Sequence, residues 1–83
     1  MRVKVLFFAT LKERAGTKSV EIDIPENTTV KRLKEQVVIT YPNLTKSMET
    51  VIVALNKEFA FDDALIPKDA EIAFFPPVSG GRI

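Results

Sequence analysis

The 83 residues include no Cys and no His. This excludes disulfides, thiolate and imidazole metal ligands, side-chain persulfides, and Ser/His or Cys/His nucleophile pairs. Two groupings remain that could carry chemistry. The acidic pair Asp62 and Asp63 would suit a cation or an acid–base site, but no third or fourth ligand stands near it, and a solvated turn accounts for it. The run FFPPVSGGRI at residues 74–83 is different in kind, because a main-chain carboxylate can become reactive without help from any side chain.

Pro76 and Pro77 lack amide donors, hold φ near −65° and push Phe75 into an extended conformation, so a sheet must stop there and the chain must project. Val78 and Ser79 are small, and Gly80 and Gly81 have no side chains. The result is a thread about one backbone wide that could enter a cleft in another protein. Fully extended, residues 78–81 would span about 13 Å. A carboxylate on Gly81 could be activated as an acyl adenylate and then displaced by sulfur or by an amine. The glycines would supply access and no catalysis. The competing reading is a frayed terminus, the common fate of glycine at chain ends. A phosphate-cradling loop is ruled out, since no helix follows the glycine pair.

The elements that must position this tail follow from periodicity. From Arg2 to Phe8 the residues alternate, with Val3, Val5 and Phe7 on one face and Arg2, Lys4, Leu6 and Phe8 on the other, which predicts a strand with its first face in a core. TLKERAGT predicts a short helix capped by Thr10 and stopped at Gly16. Val20, Ile22 and Ile24 alternate with Glu21 and Asp23 in a second strand, antiparallel to the first, that ends at Pro25. Thr28 or Thr29 caps the main helix, on which Val30, Leu33, Val37 and Tyr41 recur at helical spacing until Pro42. After a polar connection, TVIVALNKEFAF reads as a buried strand, a tight turn at residues 56–58 and a short strand at residues 59–61, and DDALIPKDA reads as a loop. The last strand covers Glu71 to Phe75, with Ile72 and Phe74 inward.

Strand, strand, helix, strand, short strand, strand is an α+β order. It implies a mixed sheet of about five strands grasping one main helix, because every apolar strand face needs a common cover. This is the ubiquitin-like β-grasp arrangement, with residues 1–76 as the folded domain and residues 77–83 as an extended tail. If the first and last strands lie parallel and adjacent, Leu6, Phe8 and Phe75 share the outer face, and Phe59 extends an apolar patch around the tail's exit. Such a patch marks a partner site, or else a second small core layer under the loops.

Composition bounds the rest. A chain this short buries roughly 60% of its unfolded surface, so a deep enclosed active site is not expected. The 46% apolar and 28% charged residues describe an ordinary globular domain, and a net charge of +1 with scattered basic residues points away from nucleic acid. The apolar run at the N-terminus is too short, and too interrupted by charge, for a signal segment or a membrane span, so a cytoplasmic protein without membrane or nucleic-acid partners is expected.

The opening VKVLFFATLKERAGT and the closing AEIAFFPPVSGG together resemble the small subunit of molybdopterin synthase, within the ubiquitin-like sulfur-carrier family, over nearly the whole domain. The resemblance implies a carrier whose Gly81 is adenylated, at the expense of ATP, by a ubiquitin-activating-type adenylyltransferase and converted to a thiocarboxylate. Val78, Ser79 and Gly80 would then enter the large synthase subunit. There the sulfur passes to cyclic pyranopterin monophosphate, in a heterotetramer whose catalytic side chains belong mainly to the partner. The small subunit would bind no metal or cofactor and would not be an enzyme alone. By position, Phe8, Phe59 and Phe75 match interface residues, and Lys12 matches a basic contact for the activating enzyme. The family pattern ends at the second glycine, whereas Arg82 and Ile83 follow here, so their proteolytic removal is expected. The same residues admit a ubiquitin-like modifier, a carrier for a thiazole or tungsten-cofactor pathway, and an interaction-only adaptor.

Overall fold

In the computed structural model, which describes residues 1–77, five strands form one mixed sheet in the order β2-β1-β5-β3-β4. The strands are β1 (Arg2–Phe7), β2 (Ser19–Asp23), β3 (Ile52–Leu55), β4 (Glu58–Ala60) and β5 (Glu71–Phe75). Helix α1 (Thr10–Ala15) follows β1, and helix α2 (Val30–Thr40) covers the inner face of the sheet. The central pair β1 and β5 is parallel, and β1–β2, β3–β5 and β3–β4 are antiparallel.

The period-2 alternation of β1 and β5 appears directly as burial. Val3, Val5 and Phe7 are buried with Ile72 and Phe74, and they meet Val30, Leu33 and Val37 of α2 in one core. Phe7 stacks on Phe74 with ring centroids 6.2 Å apart and meets Tyr41 in a T-shaped contact at 5.5 Å. Offset and edge-on aromatic contacts of this kind add to the gain from burial alone. The connection after α2, expected to be polar, contributes to this core. Two single turns of 3-10 helix, Pro42–Leu44 and Ser47–Glu49, each bury one apolar residue, Leu44 and Met48. Ile66, inside the expected loop, is buried as well.

That loop also caps α2. The Val30 and Lys31 amides donate to the carbonyls of Ala64 and Asp62, each at 3.0 Å, and the Arg32 amide donates to Thr29 Oγ1 at 3.2 Å. Helical amides left without internal partners are thereby satisfied. Asp62 therefore has a structural task, and its carboxylate also takes a 2.7 Å ion pair from Lys34. Among the described residues no group of three or more His, Cys, Asp or Glu is arranged to hold a metal ion.

Two backbone details depart from the sequence reading. Helix α1 is preceded by Ala9, not capped by Thr10, and Ala9 sits at φ 54° and ψ −129° with no side-chain capping bond. The β3–β4 turn is a two-residue turn at Asn56 and Lys57, both with positive φ, the pattern that matches strand twist in a tight hairpin. Gly16 ends α1 at φ 78°, as its position after the last helical residue predicts.

Replacing Phe74 with Ala should destabilise the domain by about 3–5 kcal/mol, most of the margin of a small protein, as read from urea unfolding. Ala9→Gly should stabilise it by about 1 kcal/mol, because relief of positive-φ strain exceeds the added freedom of the unfolded chain. Arg2 holds the exposed Asp23 carboxyl below its ordinary range through hydrogen bonds of 3.3 and 3.4 Å. A group with a lowered folded pKa contributes stability that is present above its unfolded pKa and lost as pH falls through the folded one. Wild type should therefore lead Asp23→Asn by a small, salt-sensitive amount at neutral pH, and the two should converge on acidification.

Candidate functional site

The parallel β1–β5 register pairs Leu6 with Ala73 and Phe7 with Phe74. Because Phe7 and Phe74 point inward, their neighbours Leu6, Ala73 and Phe75 must lie on the outer face. Phe8 continues the ladder one residue past β1, its amide donating to the Phe74 carbonyl at 3.2 Å. The rings of Phe8 and Phe75 consequently lie face to face, with centroids 4.6 Å apart and planes 12° from parallel. Pro76 follows at once, where the ladder can no longer extend. The expected clustering of Phe8 and Phe75 at the root of the tail is therefore present.

The patch runs across the sheet in two rows. Ile52 pairs with Phe75 beside Phe8, and Leu6, Ala73, Ala54 and Phe59 form the next row through successive strand registers. The alanines make a low middle between Leu6 on one side and Phe59 on the other. Phe59 and Phe61 are each 83% exposed and Phe8 is 40% exposed. Phe59 lies on the outer face, as its expected role requires, at the far edge from Phe8. Ile52, Ala54 and Phe61 were not singled out from the sequence, although strict alternation about the buried Val53 would have found the first two. Exposed aromatics such as Phe8 and Phe59 on the outer face of one sheet mark a docking surface on a small domain.

Lys12 is exposed on α1 and borders a groove of about 420 Å³ that also includes Phe8, Leu6, Lys4 and Lys18. Basic charge thus flanks the apolar patch beside Phe8. Lys4 faces Glu21 and Glu71 on the neighbouring strands, so the net positive charge of that flank rests on Lys12 and Lys18. The expected tail residues Val78, Ser79, Gly80 and Gly81 lie outside the described residues, as do Arg82 and Ile83.

Known proteins resemble this chain over nearly its whole length. Curated relatives named molybdopterin synthase sulfur carrier subunit include one from Arabidopsis thaliana, 32% identical over 98% of this chain and 84% of the relative. Another, from Escherichia coli, is 37% identical over 95% of this chain and 99% of the relative. Among solved structures, SAMP1 from Haloferax volcanii, the small archaeal modifier protein 1, superposes with a TM-score of 0.86 at 29% identity, covering 98% of this chain and 100% of that one. The model of the ThiS family matches residues 5–81, from the first buried strand through the glycine pair, and the chain belongs to that family.

Proposed function

We propose that this chain is the sulfur carrier subunit of a molybdopterin synthase, holding sulfur as a thiocarboxylate on Gly81 and delivering it to cyclic pyranopterin monophosphate. The observation that carries the reading is the stacked Phe8–Phe75 pair at the root of the Pro76–Pro77 break, in a chain whose curated relatives are named sulfur carrier subunits. A docking face set immediately beside Pro76 and Pro77 would let one partner hold the domain and receive the residues that follow them.

The chemistry suits a chain without cysteine. A free carboxylate is a poor electrophile, and joining it to AMP supplies a leaving group that a sulfur nucleophile can displace. A ubiquitin-activating-type adenylyltransferase would use ATP for this step, in the cytoplasm, and the carrier would bring only its main-chain carboxyl. The large synthase subunit would then enclose residues 78–81 and contribute the catalytic side chains. In this reading Arg82 and Ile83 have to be removed first, because a slot shaped for glycine has no room for them.

A second reading draws on the likeness to the Haloferax modifier protein. The same activated carboxyl could be passed to a lysine amine, joining this chain to other proteins. Peptides carrying a lysine linked to Gly81 in digests of cell protein would support the modifier role, and their absence would leave the carrier role alone.

For the carrier role, a chain ending at Gly81 should form a stable complex with the large synthase subunit. Phe75→Asp should weaken that complex by at least about 2 kcal/mol, roughly thirtyfold in Kd by titration calorimetry, since it places a charge at the centre of the apolar contact. Equal affinity for the two forms would rule out the patch as the interface.

A further inference from the structure

The root of the tail has a second flank, away from the Phe8 groove. Here a cleft of about 230 Å³ lies between α1 and the second 3-10 turn, and its lining includes Arg14, Lys46, Ser47, Pro76 and Pro77. Arg14 spans it, with Nη1 donating to Ser47 Oγ at 2.9 Å. Among the described residues no carboxylate lines this cleft, and neither Arg14 nor Lys46 has an acidic partner within ion-pair distance. The larger groove at the other end of the molecule has both signs in its wall, Arg32 with Glu26 and Glu35. The tail-root cleft, like the Phe8 groove with Lys4, Lys12 and Lys18, thus carries charge of one sign.

A guanidinium has five N–H donors in a fixed fork, and the bond to Ser47 uses one of them. The remaining donors are held in place, which reduces the side-chain entropy that a bidentate contact with a carboxylate would otherwise cost. Lys46 adds a second cation in the same wall. Cations at the rim of an apolar interface act chiefly on encounter rate and partner choice, and their effect declines with salt.

We propose that Arg14 and Lys46 form a cationic rim that recognises acidic side chains on the adenylating partner, beside the mouth of the channel that takes the tail. The inference rests on the carrier reading above, because it requires an enzyme that activates Gly81. It assigns the tail root two contacts of different character. The Phe8–Phe75 face supplies the apolar hold, and the Arg14–Lys46 rim steers and orients the transient visit in which the carboxyl is activated. A carrier that must be recharged at every turnover benefits from a contact that forms fast and releases fast.

The test is ATP–pyrophosphate exchange by the adenylyltransferase of the same organism, with the Gly81-terminated chain as varied substrate. The Arg14→Glu/Lys46→Glu double variant should raise KM about tenfold or more at low salt with kcat unchanged, and the difference should shrink toward unity in about 0.5 M salt. Arg14→Gln/Lys46→Gln should show a smaller rise in the same direction and keeps the test valid should the reversed pair fail to fold. Lys68→Glu lowers the net charge by as much as the Gln pair does, at the opposite end of β5, and should leave KM unaltered. Equal KM for the double variant and Lys68→Glu, or a defect that persists undiminished at high salt, would overturn the rim. Absence of exchange with the wild-type chain would instead sink the carrier reading itself.

Discussion

The parallel pairing of β1 with β5 is the constraint on which the rest of the molecule depends. Phe7 opposite Phe74 fixes which side of both strands enters the core, and a shift of one residue would exchange the buried and exposed rows completely. The adjacent aromatics Phe7–Phe8 and Phe74–Phe75 would tolerate such an exchange on hydrophobicity alone. The register is instead held by the residues beyond them. Val3 and Val5 alternate with Arg2 and Lys4, and burying those charges without partners would cost several kcal/mol. Charge on one face of β1 is therefore what commits Phe8 and Phe75 to the outside.

From that commitment comes a division of labour. The inner row, together with α2 and the two 3-10 turns, makes a core that holds the sheet rigid. The outer row presents aromatics where the last strand gives way to proline. Rigid aromatics beside Pro76 present a preformed face, which reduces the ordering cost of docking. The strained backbone at Ala9 belongs to the same arrangement, because it turns the chain sharply from Phe8 into α1 and so brings Arg14 round to the tail. Cationic groups thus stand on both flanks of the stacked pair, Lys12 and Lys18 on one and Arg14 and Lys46 on the other.

The elements legible in the sequence were those with strong periodicity. β1, β2, α2 and β5 fall within one or two residues of their expected bounds, because alternating or helical burial patterns are written in residue type. Leu44, Met48 and Ile66 were missed as core residues for the opposite reason. Each is a single apolar residue among polar neighbours, and only the tertiary path shows that its segment passes over the open edge of the core. The capping of α2 by residues 62–64 is likewise a long-range bond between backbone groups, which leave no trace in side-chain type. Of the site, Phe8, Phe75 and Phe59 could be placed on one face by alternation plus a topological rule. The closeness of Arg14 to Pro76 could not, because it depends on the angle at which α1 leaves the sheet.

The central claim is that sulfur travels on the main-chain carboxyl of Gly81. Intact-mass spectrometry of the chain, isolated without reducing agent from cells actively making molybdopterin, tests it most directly. The account predicts a species ending at Gly81 in which one carboxyl oxygen is replaced by sulfur. Finding the chain in such cells only with Arg82 and Ile83 still attached would contradict it.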